Sequence, residues 1–266
     1  MPISEINGIR LSYDVHGTGT PVLLVAGTGA PGRVWRTHQV PALLRAGFQV
    51  VTMDNRGIAP TDECAEGFTL DDMAADCAGL IEHLGAGPCA VVGFSLGAIV
   101  AQELMLSRPD LVREAVLIAT RGRTDPLGAA ASRAELELFD SGAKLPPSYE
   151  AATSVMRGFS RRTLNDPRAV RDWLDVFELS PVSLTASRSQ LTLDIIPDRL
   201  GELRRVRAEC LVIGFSDDLV APPHFAREVA DHIPAATYLE IADCGHYGHL
   251  ENPEAVNAAL IGFLGT

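Results

Sequence analysis

Three side chains of this sequence have the types and the setting of a nucleophile, its base and the acid that orients the base. Ser95 lies in residues 93–97, the pattern Gly-x-Ser-x-Gly, in which two glycines let the backbone turn sharply beneath the hydroxyl. A serine hydroxyl is a weak nucleophile at neutral pH, so it needs a base to accept its proton and an acid to orient that base. Asp217 and His246 each follow an apolar stretch later in the chain. These residues predict acyl-transfer chemistry at the serine.

The elements around these residues are expected to place them at one edge of a sheet. Apolar residues 89–92 predict a buried strand before the serine, and the helical periodicity of residues 96–107 predicts a helix after it. Residues 210–214 and 237–241 are apolar strands that precede the aspartate and the histidine. Because the carboxyl ends of parallel strands meet at one edge of a sheet, we expect the three side chains to converge there.

The rest of the chain alternates predicted strands and helices, apart from one long interval. Asn7-Gly8 predicts a type I′ hairpin between residues 3–6 and 9–14. Further strands are expected at 22–26, 49–53 and 115–119, and further helices at 34–44, 69–84, 223–232 and 253–264. This alternation predicts an α/β fold with a mostly parallel, doubly wound sheet.

The interval from 121 to 209 contains no all-apolar strand in the sequence. Helix-like stretches are expected at 132–139, 149–159 and 167–179. The interval is too long for a structureless loop, so it predicts a helical insertion. The predicted division is a core of residues 1–120 and 210–266 with a helical cap at 121–209.

Composition limits the classes of function. With 34 acidic and 22 basic side chains the net charge is −12, which disfavours nucleic acid and anionic membranes as partners. No uncharged apolar stretch reaches the roughly 18 residues of a membrane span. Five scattered cysteines without a CxxC pair, and no signal-peptide pattern, predict reduced thiols in the cytoplasm. No cluster has metal-ligand spacing, so we expect no metal. We also expect a small-molecule substrate and no cofactor.

Four stretches together resemble the α/β-hydrolase superfamily, over essentially the whole chain. They are residues 93–97, Asp-Asn-Arg-Gly at 54–57, Gly-x-x-Asp-x-x-Val at 214–220, and Gly-His with Leu-Glu-Asn-Pro in 245–253. Within the superfamily, the sequence is most similar to the capped esterase, lactonase and cofactor-free haloperoxidase-like branch. The resemblance implies that Ser95 is the nucleophile, His246 the general base and acid, and Asp217 the orienting carboxylate. It also implies that the insertion is a cap that shapes the acyl pocket.

Other residues compete for two of these roles. His249, three residues after the predicted base, is the best substitute for it. Asp218 adjoins the predicted acid, and Asp125 is a further candidate because some relatives place the acid after the earlier strand at 115–119.

The anion that forms on an attacked carbonyl needs preorganised hydrogen-bond donors. The backbone N–H of Leu96, directly after the nucleophile, is one predicted donor. By the resemblance, the N–H of Thr28 is the other, and Ala26 stands where relatives usually have a histidine, so the hydrogen bonding of this loop is expected to differ. Large side chains that are candidates to line the substrate pocket, or to form only the core of the cap, are Phe94, Phe139, Tyr149, Met156, Phe159, Trp173 and Tyr247.

A rival pattern in the same loop is typical of dinucleotide-binding proteins. Residues 27–32 fit G-x-G-x-x-G, follow a predicted strand, and precede Asp54 at the end of the next strand. Pro31 lacks the N–H that a pyrophosphate would need, and a separate hairpin precedes the strand. We therefore favour a glycine loop beside the nucleophile over an NAD(P)-dependent oxidoreductase.

The predicted function is hydrolysis of a small to medium, fairly apolar ester, lactone or thioester through an acyl-enzyme intermediate. One alternative is the same triad used for C–C bond hydrolysis, perhydrolysis, or a lyase or cyclase step. Another is a non-catalytic protein that binds a small ligand in the cap pocket.

Overall fold

One sheet of eight strands organises the molecule, in the order β1-β2-β4-β3-β5-β6-β7-β8. The structure is a computed structural model that describes residues 1–179 and 184–265. The strands are β1 (Ile3–Ile6), β2 (Ile9–His16), β3 (Thr20–Val25), β4 (Phe48–Met53), β5 (Cys89–Phe94), β6 (Val112–Ile118), β7 (Glu209–Phe215) and β8 (Ala236–Ile241). Strand β2 pairs antiparallel with β1 and β4, and every other pairing is parallel. The predicted α/β class with a mostly parallel sheet is confirmed.

Helices cover both faces of the sheet. They are α1 (Gln39–Arg45), α2 (Leu70–His83), α3 (Leu96–Ser107), α4 (Pro126–Asp140), α5 (Pro147–Gly158), α6 (Arg161–Leu164), α7 (Pro167–Leu179), α8 (Leu184–Thr192), α9 (Leu200–Leu203), α10 (Pro223–His232), α11 (Gly248–Glu251) and α12 (Pro253–Leu264). Leu80 of α2 and Leu104 of α3 are buried in one core, and Leu43 of α1 and Leu260 of α12 are buried in the other. Burial on both faces explains why the central strands are almost entirely apolar. No helix in the described residues is long and apolar enough to cross a membrane.

Local signals in the sequence account for several element boundaries. Asn7 and Gly8 have φ values of 48° and 75°, the positive pair that a type I′ hairpin requires. Helix α2 begins at a reciprocal capping box between Thr69 and Asp72. Helix α3 occupies the residues predicted for it.

The helix predicted at 34–44 is wrong as a continuous element. The structure has a short 3-10 turn at Gly32–Arg36 and then α1, separated by His38 in a non-helical conformation. Both Trp35 and Val40 are buried in the same core. On one continuous α-helix these two side chains would point about 140° apart, so the break lets both face the sheet.

Six helices, α4 to α9, fill the described part of the interval between β6 and β7. We call residues 126–179 and 184–203 the helical segment. Residues 180–183 of the predicted cap lie outside the described residues. The helical segment follows β6 and precedes β7. In the sheet these two strands lie between β5, which precedes Ser95, and β8, which precedes His246.

Candidate active site

The turn at Ser95 joins β5 to α3 and holds the serine in a strained conformation. Ser95 has φ 52° and ψ −118°, values that few non-glycine residues adopt. A Cβ added to Gly93 would lie 2.3 Å from the carbonyl oxygen of Gly97, and one added to Gly97 would lie 2.2 Å from the carbonyl oxygen of Val25. The backbone N–H of Ser95 donates to the Ile118 carbonyl at 2.9 Å, which fixes the turn to β6. Only glycine fits at the two flanking positions.

A chain of hydrogen bonds connects Ser95 to His246 and His246 to Asp218. Nε2 of His246 lies 3.1 Å from Oγ of Ser95, and Nδ1 of His246 lies 2.8 Å from Oδ2 of Asp218. The other carboxylate oxygen of Asp218 accepts the backbone N–H groups of Val220 and Ala221, both at 2.8 Å. Both His246 and Asp218 are buried, at 5% and 3% exposure. The arrangement can move a proton from the serine hydroxyl to the imidazole and stabilise the resulting cation.

The prediction that Asp217 is the partner of the histidine is wrong, because Asp218 occupies that place. Its carboxylate is half-buried and accepts the Arg161 N–H at 3.2 Å and the Ser216 hydroxyl at 3.1 Å. Strand β7 ends at Phe215, whose carbonyl accepts the Asp218 N–H at 3.2 Å, so the chain turns at once. The turn directs residue 218 inward and residue 217 toward the helical segment. The alternative Asp125 caps α4 by accepting the Gly128 N–H at 2.7 Å.

His249, the substitute base, is buried behind the site. Its ring packs against the rings of Phe94 and Trp35, with centroids 4.2 Å and 5.3 Å away. Neither ring nitrogen has a hydrogen-bond partner in the described part of the chain. Burial lowers the pKa of His249 to about 3. An imidazole that resists protonation and does not contact the serine is unsuited to act as its base.

The loop after β3, which we call the glycine loop (residues 26–32), lies against the nucleophile. A Cβ added to Gly27 would lie 3.2 Å from Cβ of Ser95. Residues 27–30 form a turn closed by the Ala30 N–H on the Gly27 carbonyl at 3.1 Å. Leu96 is the first residue of α3, where a backbone N–H has no acceptor within the helix. The Thr28 and Leu96 amides therefore lie near Ser95, and their role as oxyanion donors stays a prediction.

Side chains of Asn55 and Asp54 hold the glycine loop at both of its ends. Nδ2 of Asn55 donates to the carbonyl of Ala26 at 2.9 Å. The Asp54 carboxylate, 2% exposed, accepts the Gly32 N–H at 2.8 Å. Asp54 thus bonds within the loop, which argues against the dinucleotide-binding interpretation of residues 27–32 and Asp54.

An aromatic cluster (Phe94, Phe159, Trp173, Phe177 and Tyr247) adjoins the imidazole. The Phe94 ring lies 5.0 Å from the His246 ring, and Phe159 lies 4.7 Å from Trp173 and 5.6 Å from Tyr247. Phe177 completes the cluster 5.5 Å from Tyr247 and was not among the predicted residues. It follows Trp173 by four positions on α7, a spacing that would have identified it.

The remaining pocket candidates lie elsewhere. Met156 and Tyr149 of α5 are each 58% exposed, so their assignment to an enclosed pocket is wrong. Helix α5 buries Ala151 and Val155 instead, which turns those two larger side chains outward. Phe139 is half-buried on α4 and makes no ring contact within the described residues.

Polar residues of the helical segment reach the glycine loop, and the sequence patterns did not identify them. Gln190 accepts the Gly29 N–H at 2.8 Å. The Asp194 carboxylate lies 3.5 Å from the Thr28 hydroxyl and 3.2 Å from a guanidinium nitrogen of Arg121. Burial raises the pKa of Asp194, and the Arg121 cation opposes that shift. No local motif marks these residues, since their contacts join distant parts of the chain.

Glu251 ties the loop of His246 to the helical segment. Its carboxylate accepts the Gly245 N–H at 2.7 Å and the Ser160 N–H at 3.1 Å. The hydroxyls of Ser160 and Thr163 also donate to it. The backbone before His246 is therefore held against the start of α6.

Comparison with known proteins identifies the family of this chain. A sequence model described as "Alpha/beta hydrolase family" matches residues 22–259. A Mycobacterium tuberculosis protein provisionally named non-heme bromoperoxidase BpoC is 51% identical over 256 residues, 96% of this chain and 97% of that protein. Its crystal structure matches with a TM-score of 0.93 and covers 95% of this chain and 94% of that chain.

More distant relatives also match over nearly their full length. A protein from Azorhizobium caulinodans provisionally named carbamate hydrolase RutD is 28% identical over 273 residues, 100% of this chain and 98% of that protein. A thermophilic esterase structure from Thermogutta terrifontis has 28% identity and a TM-score of 0.84, covering 99% of this chain and 98% of that chain. The chain therefore belongs to the α/β-hydrolase family of enzymes.

Proposed function

We propose that this protein is a serine hydrolase that cleaves a small to medium, fairly apolar ester, lactone or thioester through an acyl-enzyme intermediate. The observation that carries the proposal is the hydrogen-bond chain from Ser95 through His246 to the buried Asp218. A pure binding protein has no need for a strained serine that is aligned on an imidazole.

In the proposed mechanism, Nε2 of His246 accepts the hydroxyl proton as Oγ of Ser95 attacks the substrate carbonyl. Asp218 stabilises the imidazolium, which then donates its proton to the leaving group. Water, deprotonated by the same imidazole, hydrolyses the acyl-serine ester. The Thr28 and Leu96 amides stabilise the oxyanion in both halves of the reaction, and each such donor is worth about 3 kcal/mol.

The substrate class rests on the surroundings of the serine. The aromatic cluster contains side chains from α7 and from the His246 loop, and it favours an apolar acyl or alkyl group. In this proposal the helical segment acts as the cap over the site. The esterase and the carbamate hydrolase among the relatives carry names for hydrolysis at a carbonyl carbon, which supports the same reaction class.

Activity with p-nitrophenyl butyrate and labelling with a fluorophosphonate test the proposal together. We expect Ser95→Ala to abolish both, and His246→Ala to abolish labelling of Ser95. Ser107→Ala, which changes an exposed serine at the end of α3, is the matched control and is expected to keep both. Full activity in Ser95→Ala would refute the assignment, and a native protein that is never labelled would favour a non-catalytic binder.

Perhydrolysis is the second candidate, because the relative at 51% identity is named for bromoperoxidase activity. In that reaction hydrogen peroxide replaces water and attacks the acyl-serine ester, releasing a peroxycarboxylic acid and free Ser95. The peroxycarboxylic acid then oxidises bromide to hypobromous acid and is reduced to the carboxylic acid. We expect Ser95-dependent bromination of phenol red in acetate, peroxide and bromide if this candidate holds, and ester hydrolysis alone if it does not.

A cytoplasmic location is part of the same proposal. All five cysteines are free, and four of them are buried. Free thiols are typical of proteins kept in a reducing compartment. Cell fractionation with an antibody to the native protein tests the location, and recovery outside the cytoplasm would contradict it.

A further inference from the structure

One fully buried glutamine, Gln190 of α8, joins the glycine loop to a second loop of the core. Its Oε1 accepts the Gly29 N–H at 2.8 Å, and its Nε2 donates to the Arg56 carbonyl at 2.8 Å. Both distances are those of well-formed hydrogen bonds. A side chain of the helical segment thus contacts the backbone one residue after Thr28.

The conformation of the glycine loop explains why this contact matters. The turn at residues 27–30 has Gly29 at φ +69° in its third position, while Thr28 has an ordinary negative φ. Those signs of φ are the ones that a type II turn requires, and the central N–H of the turn, that of Gly29, takes no part in the hydrogen bond that closes it. A buried N–H without an acceptor destabilises the conformation that holds it, and rotating the Thr28–Gly29 peptide, which converts the turn to another type, would move that N–H. Because Gln190 accepts the Gly29 N–H, the observed turn leaves that N–H paired and the rotation would bring no gain.

The second loop gives Gln190 a rigid support. The Arg56 guanidinium makes two hydrogen bonds to the buried carboxylate of Asp76, at 2.6 Å and 2.8 Å. The hydrogen bond to Asp76 raises the pKa of Arg56, so the guanidinium stays charged. Burial raises the pKa of Asp76, and the hydrogen bonds from Arg56 and Asn7 oppose that shift. The carbonyl that orients the Gln190 amide group therefore lies in a fixed part of the core.

We propose that Gln190 is a positioning residue for the reaction at Ser95. It anchors the glycine loop at the peptide that follows Thr28, and so keeps the preceding Gly27–Thr28 peptide, whose N–H is the predicted oxyanion donor, in place beside Ser95. The oxyanion site is then complete only while α8 of the helical segment is docked on the glycine loop. This inference rests on the proposed function, since it assigns Gln190 to the oxyanion site of that reaction.

Kinetics of Gln190→Ala and the volume-conserving Gln190→Met test the proposal. We expect kcat with p-nitrophenyl butyrate to fall by about 10- to 100-fold, less than for outright loss of a donor, with KM changed less than about twofold. Affinity for an alkyl boronic acid, which forms a tetrahedral adduct at the serine, is expected to fall by the same factor. The pH midpoint of kcat/KM is expected to stay unchanged, because the contact between His246 and Asp218 remains.

Gln102→Ala is the matched control. Gln102 is equally buried and donates to the Thr120 hydroxyl at 2.8 Å and the Arg121 carbonyl at 3.2 Å, without contacting the glycine loop. We expect this variant to lose stability while kcat and boronic acid affinity stay within about twofold of the native protein. If both Gln190 variants lower only the melting temperature and leave kcat per titrated active site unchanged, Gln190 has a merely structural role and the proposal fails.

Hydrogen exchange at the Gly29 amide tests the tether without using activity. In Gln190→Met we expect that amide to exchange faster than in the native protein, while the amides of α3 keep their protection. An unchanged exchange rate would overturn the proposal, whatever the kinetics of the variants show. If the proposed function itself is wrong, the native protein lacks Ser95-dependent hydrolysis. If only the role of Gln190 is wrong, the native protein keeps that hydrolysis.

Discussion

Oδ2 of Asp218 lies 2.8 Å from Nδ1 of His246, whereas the adjacent Asp217 accepts hydrogen bonds from Arg161 and Ser216. The two neighbouring carboxylates thus have separate environments. Asp218 is buried with both oxygens engaged, and Asp217 is half-buried at the edge of the helical segment. The orientation of the imidazole therefore depends on the second aspartate.

Exchanging each aspartate for asparagine separates their roles. We expect Asp218→Asn to lower kcat by about 10³- to 10⁴-fold, because an amide favours the wrong tautomer of the imidazole. Asp217→Asn is the matched control and is expected to change kcat by less than about threefold. Steady-state kinetics with p-nitrophenyl butyrate measure both. A larger loss in Asp217→Asn than in Asp218→Asn would contradict the geometry.

The flanking glycines of the serine turn are expected to tolerate no side chain. Cβ atoms at Gly93 and Gly97 would lie 2.3 Å and 2.2 Å from backbone oxygens, which cannot move aside as a flexible side chain can. We expect Gly93→Ala and Gly97→Ala each to lower the free energy of unfolding by about 3 kcal/mol, measured by urea denaturation. Gly262→Ala in α12 is the control, because nothing lies within 4 Å of its added Cβ. It is expected to raise stability by up to about 1 kcal/mol, and equal losses in all three variants would argue against the steric account.

His249 is expected to make stability fall in mild acid. Burial lowers its pKa from 6.5 to about 3, so below pH 6.5 the unfolded chain binds a proton that the folded protein does not bind. Each pH unit between 6.5 and 3 therefore removes about 1.4 kcal/mol from the free energy of unfolding, and none is removed above that range. His249→Phe lacks this proton, so its stability relative to the native protein should rise by about 2 kcal/mol from pH 7.5 to pH 5. Urea unfolding at both pH values checks this, and a difference that does not vary with pH would refute it.

Glu251 is expected to stabilise the loop of His246. Its carboxylate accepts the Gly245 N–H and hydrogen bonds from Ser160 and Thr163, so Glu251→Ala leaves these donors unpaired. We expect a loss of about 2–3 kcal/mol in the free energy of unfolding and a lower kcat. Glu254→Ala, which removes an exposed carboxylate in the first turn of α12, should cost less than about 1 kcal/mol. Similar melting temperatures for the two variants would contradict the role of Glu251.

Much of the fold follows from local patterns. The hairpin, the capping box of α2 and the strand–turn–helix around Ser95 each depend on residues within a few positions of one another. Such signals are readable because turn, cap and periodicity preferences act over short distances. The break in the helix predicted at 34–44 could not be predicted from local patterns, because it depends on where Trp35 and α1 pack against the sheet.

The sequence alone determined the chain order of serine, aspartate and histidine. It also determined the glycine-flanked turn at the serine and the parallel sheet, because both follow from local backbone and hydrophobic preferences. The tertiary structure decided that Asp218 and not Asp217 meets the imidazole, because one residue of turn after β7 reverses which carboxylate points inward. It also decided that Gln190 reaches Gly29, a contact between residues 161 positions apart. A contact of that kind arises only when helices and loops dock in three dimensions, and no local preference encodes it.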